Sequence, residues 1–443
     1  HPIKHVVKSK EKTARHRRYT WGANNRLWRM VNELTGGETG YSHDAFGNLA
    51  WAKYENGHYD FKLPDEVGNL FKTKERNDKE YGAGGKLLRD QEYHYFYDAE
   101  GNLTAKNGKD SWKYNWLGNG MLKEVTRPDG KKVGFEYDAL GRRTAKIYEE
   151  KINRFVWDGN TPLHEWKYDL AQKPQWIVDE IGFLKQDQPE PVSEDLITWI
   201  FEEGTFKPTA KIIGTEKYSI VTDYLGTPCQ AFDSKGEKVW EAELDIYGKI
   251  RKLEGAIDFV PFRYQGQYED VESGLYYNRF RYYCAETGRY LSQDPIGLLG
   301  GAKFYAFTKD SIAAVDIFGL SPIVVIGEGQ GAVDAVAKVL RDSGYDAESM
   351  MYPKVQWKGG KLYDGMPISQ FEKSVEWNKQ WLKDKISEGY KVVDIGGDGR
   401  VVRSEFYKAE LEAIKEMNST KITLKKLPSG ESINDMRTRI KCG

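Results

Sequence analysis

Along most of the chain, apolar and polar residues alternate over short stretches that are separated by turn sequences. The stretch KKVGFEY at residues 131–137 is an example, since it places Val133, Phe135 and Tyr137 on one face. A period of two residues is typical of a β-strand with one buried face. The pattern therefore predicts a long series of short strands over residues 1–293.

The turns between these strands share a sequence formula: an aromatic residue, Asp, two further residues, and Gly followed by a polar residue. YDAEGN at residues 97–102 and YDALGR at residues 137–142 are two copies. The Asp can accept backbone N–H groups in the turn, and the Gly supplies the positive φ that other residues resist. The formula recurs at a loose period of about 20 residues, so the aromatic faces are expected to be buried by stacking many units.

The pattern changes after residue 320, where apolar residues recur at helical spacing between short apolar runs. The predicted elements are strands at Ile323–Gly327 and Tyr390–Gly396, helices at Ala332–Leu340, Ile368–Ser387 and Glu405–Met417, and an edge strand at Lys421–Lys426. They predict a compact α/β unit over residues 321–443. Trp377 and Trp381, four residues apart on one helix, are expected in its core.

Composition agrees with a strand-rich chain. There are 45 Gly, 28 Tyr, 18 Phe and 13 Trp but only 39% hydrophobic residues, which suits short strands and tight turns. No apolar run reaches the about 18 residues that a transmembrane helix needs. Three cysteines make neither a disulfide framework nor a zinc site. The chain starts at His1 without a Met or a signal sequence, so we expect a piece of a longer protein.

The charge balance is close to neutral. The chain has 66 Lys+Arg and 67 Asp+Glu, a formal net charge of -1, which argues against nucleic-acid binding over the whole surface. Divided after residue 320, the acidic excess belongs to the first part, and the C-terminal unit has a small basic excess. The neutral charge of the whole chain therefore does not argue against nucleic-acid binding by the C-terminal unit.

The turn formula resembles the tyrosine-aspartate (YD) repeats of the Rhs family and of insecticidal toxin-complex C components. The likeness is strongest over residues 262–320, which contain GLYYNRFRYY (274–283) and ETGRYLSQDPIGL (286–298). The resemblance implies a mainly β shell, a spiral sheet forming a hollow cocoon, at residues 1–293. A shell-closing segment at 294–320 and a small α/β toxin domain at 321–443 would follow. It also implies that a complete shell is far longer than this chain.

In that family the shell ends with two spaced Asp-Pro-x-Gly sequences and cuts itself after the next Leu. Here Asp294 begins the first copy and Asp316 the second, and the spacing between them matches the family's. The resemblance therefore implies an aspartyl-type autoprotease that cleaves the bond between Leu320 and Ser321. Chemically, two carboxylates that share a proton could activate water and protonate the scissile carbonyl.

Two further residues qualify this assignment. Arg289 is a candidate for orienting a carboxylate through a bidentate pair. Ile317 stands where the family has Pro, which puts the rigidity of the second turn in question. The alternative is that both aspartates only cap turns.

The C-terminal unit contains no histidine, because all seven histidines precede residue 321. This excludes His-metal nucleases, zinc deaminases with His/Cys ligands, His-dependent RNases and Cys–His proteases for that unit. The side chains that remain as candidates for catalysis in that unit are carboxylates, Arg, Ser and Tyr.

Candidate polar groups follow the two predicted strands. Glu328 follows the first strand, and Asp394 and Asp398 lie at the end of the second. In an open α/β sheet, the carboxyl ends of the strands are where ligands bind. We expect Glu328, Asp394 and Asp398 to hold Mg²⁺ and Arg403 to serve catalysis in the toxin, with basic residues binding phosphate, as in a metal-dependent nuclease.

Two other functions stay open. One is an NAD-consuming toxin, an ADP-ribosyltransferase or NAD glycohydrolase, with Arg403 on the dinucleotide phosphates. Glu410-Leu-Glu412 is similar to the Glu-x-Glu of ADP-ribosyltransferases, but in a predicted helix these two side chains face different directions. The Gly-rich turn at 327–331 lacks the full dinucleotide fingerprint. The third function is a non-enzymatic shell whose tail binds a partner.

The resemblance also implies partners and a location. These are a cognate immunity protein, the upstream rest of the shell, and secretion machinery, either a type VI spike with its PAAR protein or a toxin complex. The toxin would be delivered by an injection system and act on nucleic acid or NAD in the target-cell cytoplasm, without stable membrane insertion. Autoproteolysis would need no cofactor.

Overall fold

The computed structural model describes residues 1–22, 26–65, 68–297 and 303–320, and parts of the C-terminal region. Those parts are residues 323–326, 333–334, 336–338, 347–349, 368–388, 390–394, 405–417, 419 and 421–423. The chain divides into two compact units. The N-terminal unit consists of His1–Gln293 and Tyr305–Gly319; the C-terminal unit consists of Asp294–Phe304 and Leu320–Gly443.

The N-terminal unit begins with a sheet of six antiparallel strands in chain order. These are β1 (Lys4–Ser9), β2 (Lys12–Trp21), β3 (Leu27–Asn32), β4 (Glu38–His43), β5 (Leu49–Lys53) and β6 (Tyr59–Phe61). The short strands β7 (Leu63–Pro64) and β8 (Leu70–Phe71) pair with each other.

A second sheet extends from β9 to β26, again with antiparallel neighbours in chain order. Its first ten strands are β9 (Lys79–Tyr81), β10 (Leu87–Asp90), β11 (Tyr93–Tyr97), β12 (Leu103–Gly108), β13 (Ser111–Trp116), β14 (Leu122–Thr126), β15 (Lys132–Tyr137), β16 (Arg143–Tyr148), β17 (Lys151–Asp158) and β18 (Thr161–Asp169). The hairpin of β19 (Trp176–Val178) and β20 (Leu184–Gln186) forms a separate sheet. The large sheet continues with β21 (Ile197–Phe201), β22 (Pro208–Ile213), β23 (Glu216–Thr222), β24 (Pro228–Phe232), β25 (Lys238–Leu244) and β26 (Ile250–Glu254).

The turns have the geometry that the sequence formula predicts. At residues 98–102, the Asp98 carboxylate Oδ1 accepts the Asn102 backbone N–H at 2.8 Å. The Gly101 N–H donates to the Asp98 carbonyl, and Gly101 has a φ of 83°. Because only glycine adopts this φ without strain, the formula fixes where each strand turns back.

A small four-stranded sheet follows and carries the junction residues. Its strands are β27 (Tyr268–Asp270), β28 (Leu275–Asn278), β29 (Arg281–Cys284) and β30 (Arg289–Tyr290), all antiparallel. Arg143 of β16 ties it to the large sheet through a buried ion pair with Asp270, at 2.5 Å. The Arg143 guanidinium also faces the Tyr277 ring, 4.6 Å from its centroid. This fully buried cation therefore fixes the small sheet against the large one.

The C-terminal unit is α/β. Its described strands are β31 (Ile323–Ile326), β32 (Ala347–Ser349), β33 (Lys391–Asp394) and β34 (Lys421–Thr423), which pair in parallel in the order β32-β31-β33-β34. Its helices include α1 (Ile368–Glu388) and α2 (Glu405–Glu416). A mainly β chain followed by a small α/β unit is the predicted fold class, which is thereby confirmed.

Two features of this unit differ from the prediction. Strand β32 was not predicted because Ala-Glu-Ser has no apolar run. Trp377 is not a core residue, since 48% of it is exposed. The buried stripe of α1 instead passes through Asn378 and Leu382, with Trp381 packed against the same apolar cluster as Leu382. Within the described part of the chain, no helix has the length and apolarity to span a membrane.

Candidate functional site

Asp316, the first residue of the second junction turn, is buried against the small sheet. The Tyr290 hydroxyl donates to Asp316 Oδ2 at 2.8 Å. The Arg281 Nη2 lies 3.3 Å from the same oxygen. A charged donor and a neutral donor thus fix one oxygen of the carboxylate, which limits its rotation.

The strands of the small sheet position these donors. Asn278 ends β28, Arg281 begins β29 and Tyr290 ends β30, so three consecutive strands contribute one side chain each. The Asn278 Nδ2 donates to the Tyr290 hydroxyl oxygen at 2.7 Å and to the Asp316 carbonyl at 2.8 Å. The Arg281 guanidinium stacks on the Tyr290 ring, 3.7 Å from its centroid. The turn that lacks Pro at 317 is therefore fixed by side chains instead.

The same arginine reaches the residue before Leu320. Arg281 Nε donates to the carbonyl oxygen of Gly319. Gly319 has a φ of 67°, and a Cβ added there would lie 2.5 Å from the Asn278 carbonyl oxygen. Only glycine fits this position without a shift of the backbone. Leu320 itself is 2% exposed, and Ser321 lies outside the described residues.

The hydroxyl group of Tyr290 is in the protonated state that a hydrogen-bond donor needs. Burial raises the pKa of Tyr290 well above its ordinary value, and the neighbouring Asp316 carboxylate raises that pKa further. The phenol therefore stays protonated at neutral pH and donates to the carboxylate.

Asp294 begins the first junction turn. Its Oδ1 accepts the Ile296 N–H at 3.1 Å, and its own N–H donates to the Phe304 carbonyl at 2.9 Å. The Gly297 N–H closes the turn on the Asp294 carbonyl at 2.8 Å. Asp294 is buried. These contacts fit the turn-capping alternative.

Arg289 does not have the surroundings expected of it. Its Nη2 donates to the Gly85 carbonyl, and its guanidinium lies 4.7 Å from the Tyr81 ring centroid. Among the described residues it forms no ion pair with a carboxylate. The Arg289 side chain extends from β30 towards β9 and the turn that follows β9, so its guanidinium lies among aromatic rings. Arg281, eight residues earlier, is the arginine that contacts Asp316.

In the C-terminal unit, Asp394 is the last residue of β33, as the sequence predicts. It lies opposite Ile326, the last residue of β31. The Tyr407 hydroxyl lies 2.8 and 2.9 Å from the two oxygens of Asp394. Glu328, Asp398 and Arg403 lie outside the described residues. Within the described ranges, no group of three or more His, Cys, Asp or Glu side chains could hold a metal ion.

Repeated turns, ordered antiparallel strands and the closing junction define a YD-repeat shell protein. The chain belongs to the Teneurin YD-shell family, whose model matches residues 19–157 and 208–299, more than half of the chain.

Several of its relatives are named as toxins or as Rhs proteins. The toxin protein Tse5 of Pseudomonas aeruginosa is 34% identical over 323 residues, which is 65% of this chain and 24% of Tse5. The double-stranded DNA deaminase toxin A of Burkholderia cenocepacia is 29% identical over 314 residues, 66% of this chain and 22% of that toxin. The chain thus spans about a quarter of their length.

Among solved structures, the chain is similar to the TcdB2-TccC3 complex. In one crystal structure of it, 16% of aligned residues are identical, with a TM-score of 0.40. The match covers 72% of this chain and 19% of that chain.

Proposed function

We propose that this chain is part of an Rhs-type secreted toxin that cuts itself after Leu320 and so separates its shell from a cytotoxic C-terminal unit. The observation that carries the proposal is the double contact of Arg281. One guanidinium holds both the Asp316 carboxylate and the Gly319 carbonyl, one residue before the expected cut.

The proposed reaction uses two carboxyl groups with one proton between them. One of Asp294 and Asp316 takes a proton from water as the water oxygen attacks the Leu320 carbonyl carbon. The other donates its proton to the carbonyl oxygen. When the tetrahedral intermediate collapses, the C–N bond breaks and the Ser321 nitrogen takes the proton that the first carboxyl group removed from water. The other carboxyl group regains its proton from the hydroxyl of the intermediate, which becomes the new C-terminal carboxyl group of Leu320. Tyr290 and Arg281 keep Asp316 oriented, and no cofactor is needed.

The test is the Asp316→Asn substitution in the full chain. We expect wild type to give two bands on a denaturing gel and the variant one uncut band. Asp245→Asn is a matched control, since Asp245-Ile-Tyr-Gly248 repeats the Asp-Ile-x-Gly sequence in another turn of the same unit. Cutting by the Asp316 variant at the wild-type rate would exclude the mechanism.

For the C-terminal unit we propose a metal-dependent nuclease, with Mg²⁺ held by Glu328, Asp394 and Asp398 and phosphate contacted by Arg403. Several relatives are named as nucleases, among them the probable deoxyribonuclease RhsA of Dickeya dadantii, 27% identical over 60% of this chain. The tRNA(Glu)-specific nuclease WapA of Bacillus subtilis subsp. natto is 24% identical over 65% of this chain. The deaminase activity of another relative is not carried over, because residues 321–443 offer no His ligand for zinc.

One structural feature favours the NAD-consuming alternative. The order β32-β31-β33-β34 is a doubly wound arrangement, which binds nucleotides at the carboxyl ends of the strands. Incubating the full chain with plasmid, total RNA and NAD⁺, with and without a chelator, separates the two proposals. Nucleic-acid cleavage that stops with the chelator supports the nuclease, whereas NAD⁺ loss that is insensitive to it supports the alternative.

The proposed toxin acts in the cytoplasm of a target cell after delivery by an injection system. Its proposed partners are a cognate immunity protein, the upstream part of the shell, and either a type VI spike or a toxin complex. The likeness to the toxin protein Tse5 of Pseudomonas aeruginosa supports the toxin part of this proposal.

A further inference from the structure

Four polar side chains are buried in the C-terminal unit. Asn378, Asp394, Tyr407 and Glu410 are 0%, 1%, 2% and 4% exposed. Two of them are carboxyl groups, which fold into an interior only at a cost that hydrogen bonds must offset.

The four side chains form two hydrogen-bonded pairs on one helix face. The Tyr407 hydroxyl contacts both oxygens of Asp394. The Asn378 Nδ2 of α1 donates to Glu410 Oε1 of α2 at 3.1 Å. Tyr407 and Glu410 are three residues apart on α2, so their Cβ atoms are neighbours, about 5–6 Å apart. The two pairs are therefore adjacent. Glu410 lies about one helical turn from Tyr407, towards the C-terminus of α2.

The strand order places this cluster where an open α/β sheet binds its ligand. β32, next in the chain after β31, lies on one side of β31, and β33 lies on the other. The connections from β31 and β32 thus leave in opposite directions, which makes the carboxyl ends of β31 and β33 a topological switch point. Asp394 is the last residue of β33. Helix α2 follows it in the chain and begins near the same edge.

The apolar core of the unit lies next to the cluster and does not include its polar groups. Leu382, Val392, Ala413 and Ile414 form that core together with the Tyr407 ring. Tyr407 thus packs its ring on the core and directs its hydroxyl to Asp394. Glu412, two residues after Glu410, is instead on the exposed side of α2, where it pairs with Lys379 at 2.9 Å. Glu410 is therefore buried while Glu412 is exposed, so the two residues do not face the same site as a Glu-x-Glu pair would.

We propose that Glu410, Tyr407 and Asn378 complete the catalytic centre around Asp394 for hydrolysis of a phosphodiester bond in nucleic acid. This rests on the proposed nuclease function. Glu410 accepts a proton from a water molecule whose oxygen forms a bond to phosphorus. The bond from phosphorus to the leaving sugar oxygen breaks, and that oxygen takes a proton from solvent. Asn378 positions Glu410, and Tyr407 positions Asp394, whose carboxylate suits a divalent cation.

The test compares full-chain variants that differ in one group. Glu410→Gln removes the proton acceptor and keeps the shape, and Glu412→Gln is the matched control on the same helix. We expect Glu410→Gln to lower kcat for cleavage of plasmid or total RNA by roughly 100-fold or more, and Glu412→Gln to leave it within about twofold. Circular dichroism and thermal unfolding establish that each variant is folded.

Tyr407→Phe is a second variant that removes only a hydroxyl. It should lower kcat with little change in KM, because Tyr407 positions Asp394 and does not contact substrate. A folded Glu410→Gln or Tyr407→Phe protein that cleaves at the wild-type rate would overturn the proposed centre while leaving the nuclease function intact.

Growth inhibition in a bacterial host distinguishes failure of the two proposals. If the wild-type chain stops growth without cleaving nucleic acid, the hydrolysis of a phosphodiester bond fails together with the nuclease function, even where Glu410→Gln relieves the inhibition and Glu412→Gln does not. Cleavage of nucleic acid by wild type and equally by a folded Glu410→Gln variant has the opposite meaning, since the nuclease function then stands and only the proposed centre fails. Equal growth inhibition by folded Glu410→Gln and wild-type chains would count against the centre.

Discussion

Arg281 and Gly319 are joined by a hydrogen bond from the guanidinium Nε to the carbonyl oxygen one residue before Leu320. The same guanidinium lies against the Asp316 carboxylate and stacks on the Tyr290 ring. One side chain thus links an acidic group with the backbone that leads into the expected scissile bond. The first predictions concern this link.

Replacing Arg281 by Lys should slow self-cleavage by about tenfold or more. Lysine keeps the charge but cannot donate in two fixed directions, so it cannot hold both Asp316 and the Gly319 carbonyl. A time course of cleavage on denaturing gels measures the effect. Arg289→Lys is the control, because Arg289 contacts the Gly85 carbonyl, and it should cut normally. If Arg289→Lys slowed cleavage and Arg281→Lys did not, Arg289 would be the residue that orients a carboxylate, as the sequence predicts.

Replacing Tyr290 by Phe should move the pH range of cleavage to higher pH. Tyr290 donates a hydrogen bond to the Asp316 carboxylate, and burial holds the pKa of the phenol well above its usual value. Loss of this donor makes the charged form of the carboxylate less favourable, so ionisation needs a higher pH. The measurement is the cleavage rate from acidic to alkaline buffers. An unchanged profile would mean that the Tyr290–Asp316 contact has no part in the reaction.

Replacing Gly319 by Ala should reduce cleavage without unfolding the shell. The positive φ and the close Asn278 carbonyl oxygen leave no room for a Cβ, so the backbone before Leu320 must shift. Gly274→Ala is the matched control, since Gly274 has a similar φ of 68° but nothing within 4 Å of an added Cβ. We expect the control to keep the wild-type cleavage rate. If both variants cut equally well, the position of the Gly319 carbonyl does not matter.

We expect the buried Lys62 ammonium group to make the stability of the shell depend on pH. Burial lowers the pKa of Lys62 to about 8, with Asp310 and Asp245 partly opposing the shift. At pH 7 the folded protein holds a buried ammonium group that is solvated when unfolded, and this penalty disappears as pH rises from about 8 towards the unfolded value. Lys62→Met should therefore raise the free energy of unfolding at pH 7 by on the order of 1–3 kcal/mol and by less at about pH 9.5.

Urea unfolding of wild type and Lys62→Met at both pH values measures this difference. Comparing the two proteins at each pH removes the effect of other titrating groups. Lys62 donates to the Thr308 carbonyl at 3.3 Å, so Lys62→Gln tests separately whether that hydrogen bond contributes. The same Lys62→Met effect at both pH values would show that the ammonium is not buried as described.

The strands and turns could be predicted because their signals are local. The turn at Asp98 and Gly101 depends only on residues within five positions, and its formula is visible in the sequence. The strands at Ile323–Ile326 and Lys391–Asp394 are apolar runs. Strand β32 has no such run and is formed by pairing with β31, which is a non-local contact.

At the junction, the sequence alone does not indicate which arginine contacts Asp316. Asp294 and Asp316 follow from a spaced motif, but the choice between Arg281 and Arg289 depends on the register of β28, β29 and β30. Both arginines lie among aromatic residues in the same segment, and only the pairing of Asn278 with Arg281 brings that arginine to Asp316. The same holds for Glu410, whose partner Asn378 lies on another helix.

The central claim is that the chain cuts itself between Leu320 and Ser321. The most direct measurement is the intact mass and N-terminal sequence of the smaller product of the purified wild-type chain. We predict a fragment that begins Ser-Pro-Ile at residue 321 and a shell fragment that ends at Leu320, with neither formed by Asp316→Asn. A single uncut wild-type chain, or a fragment that begins at another residue, would contradict the account.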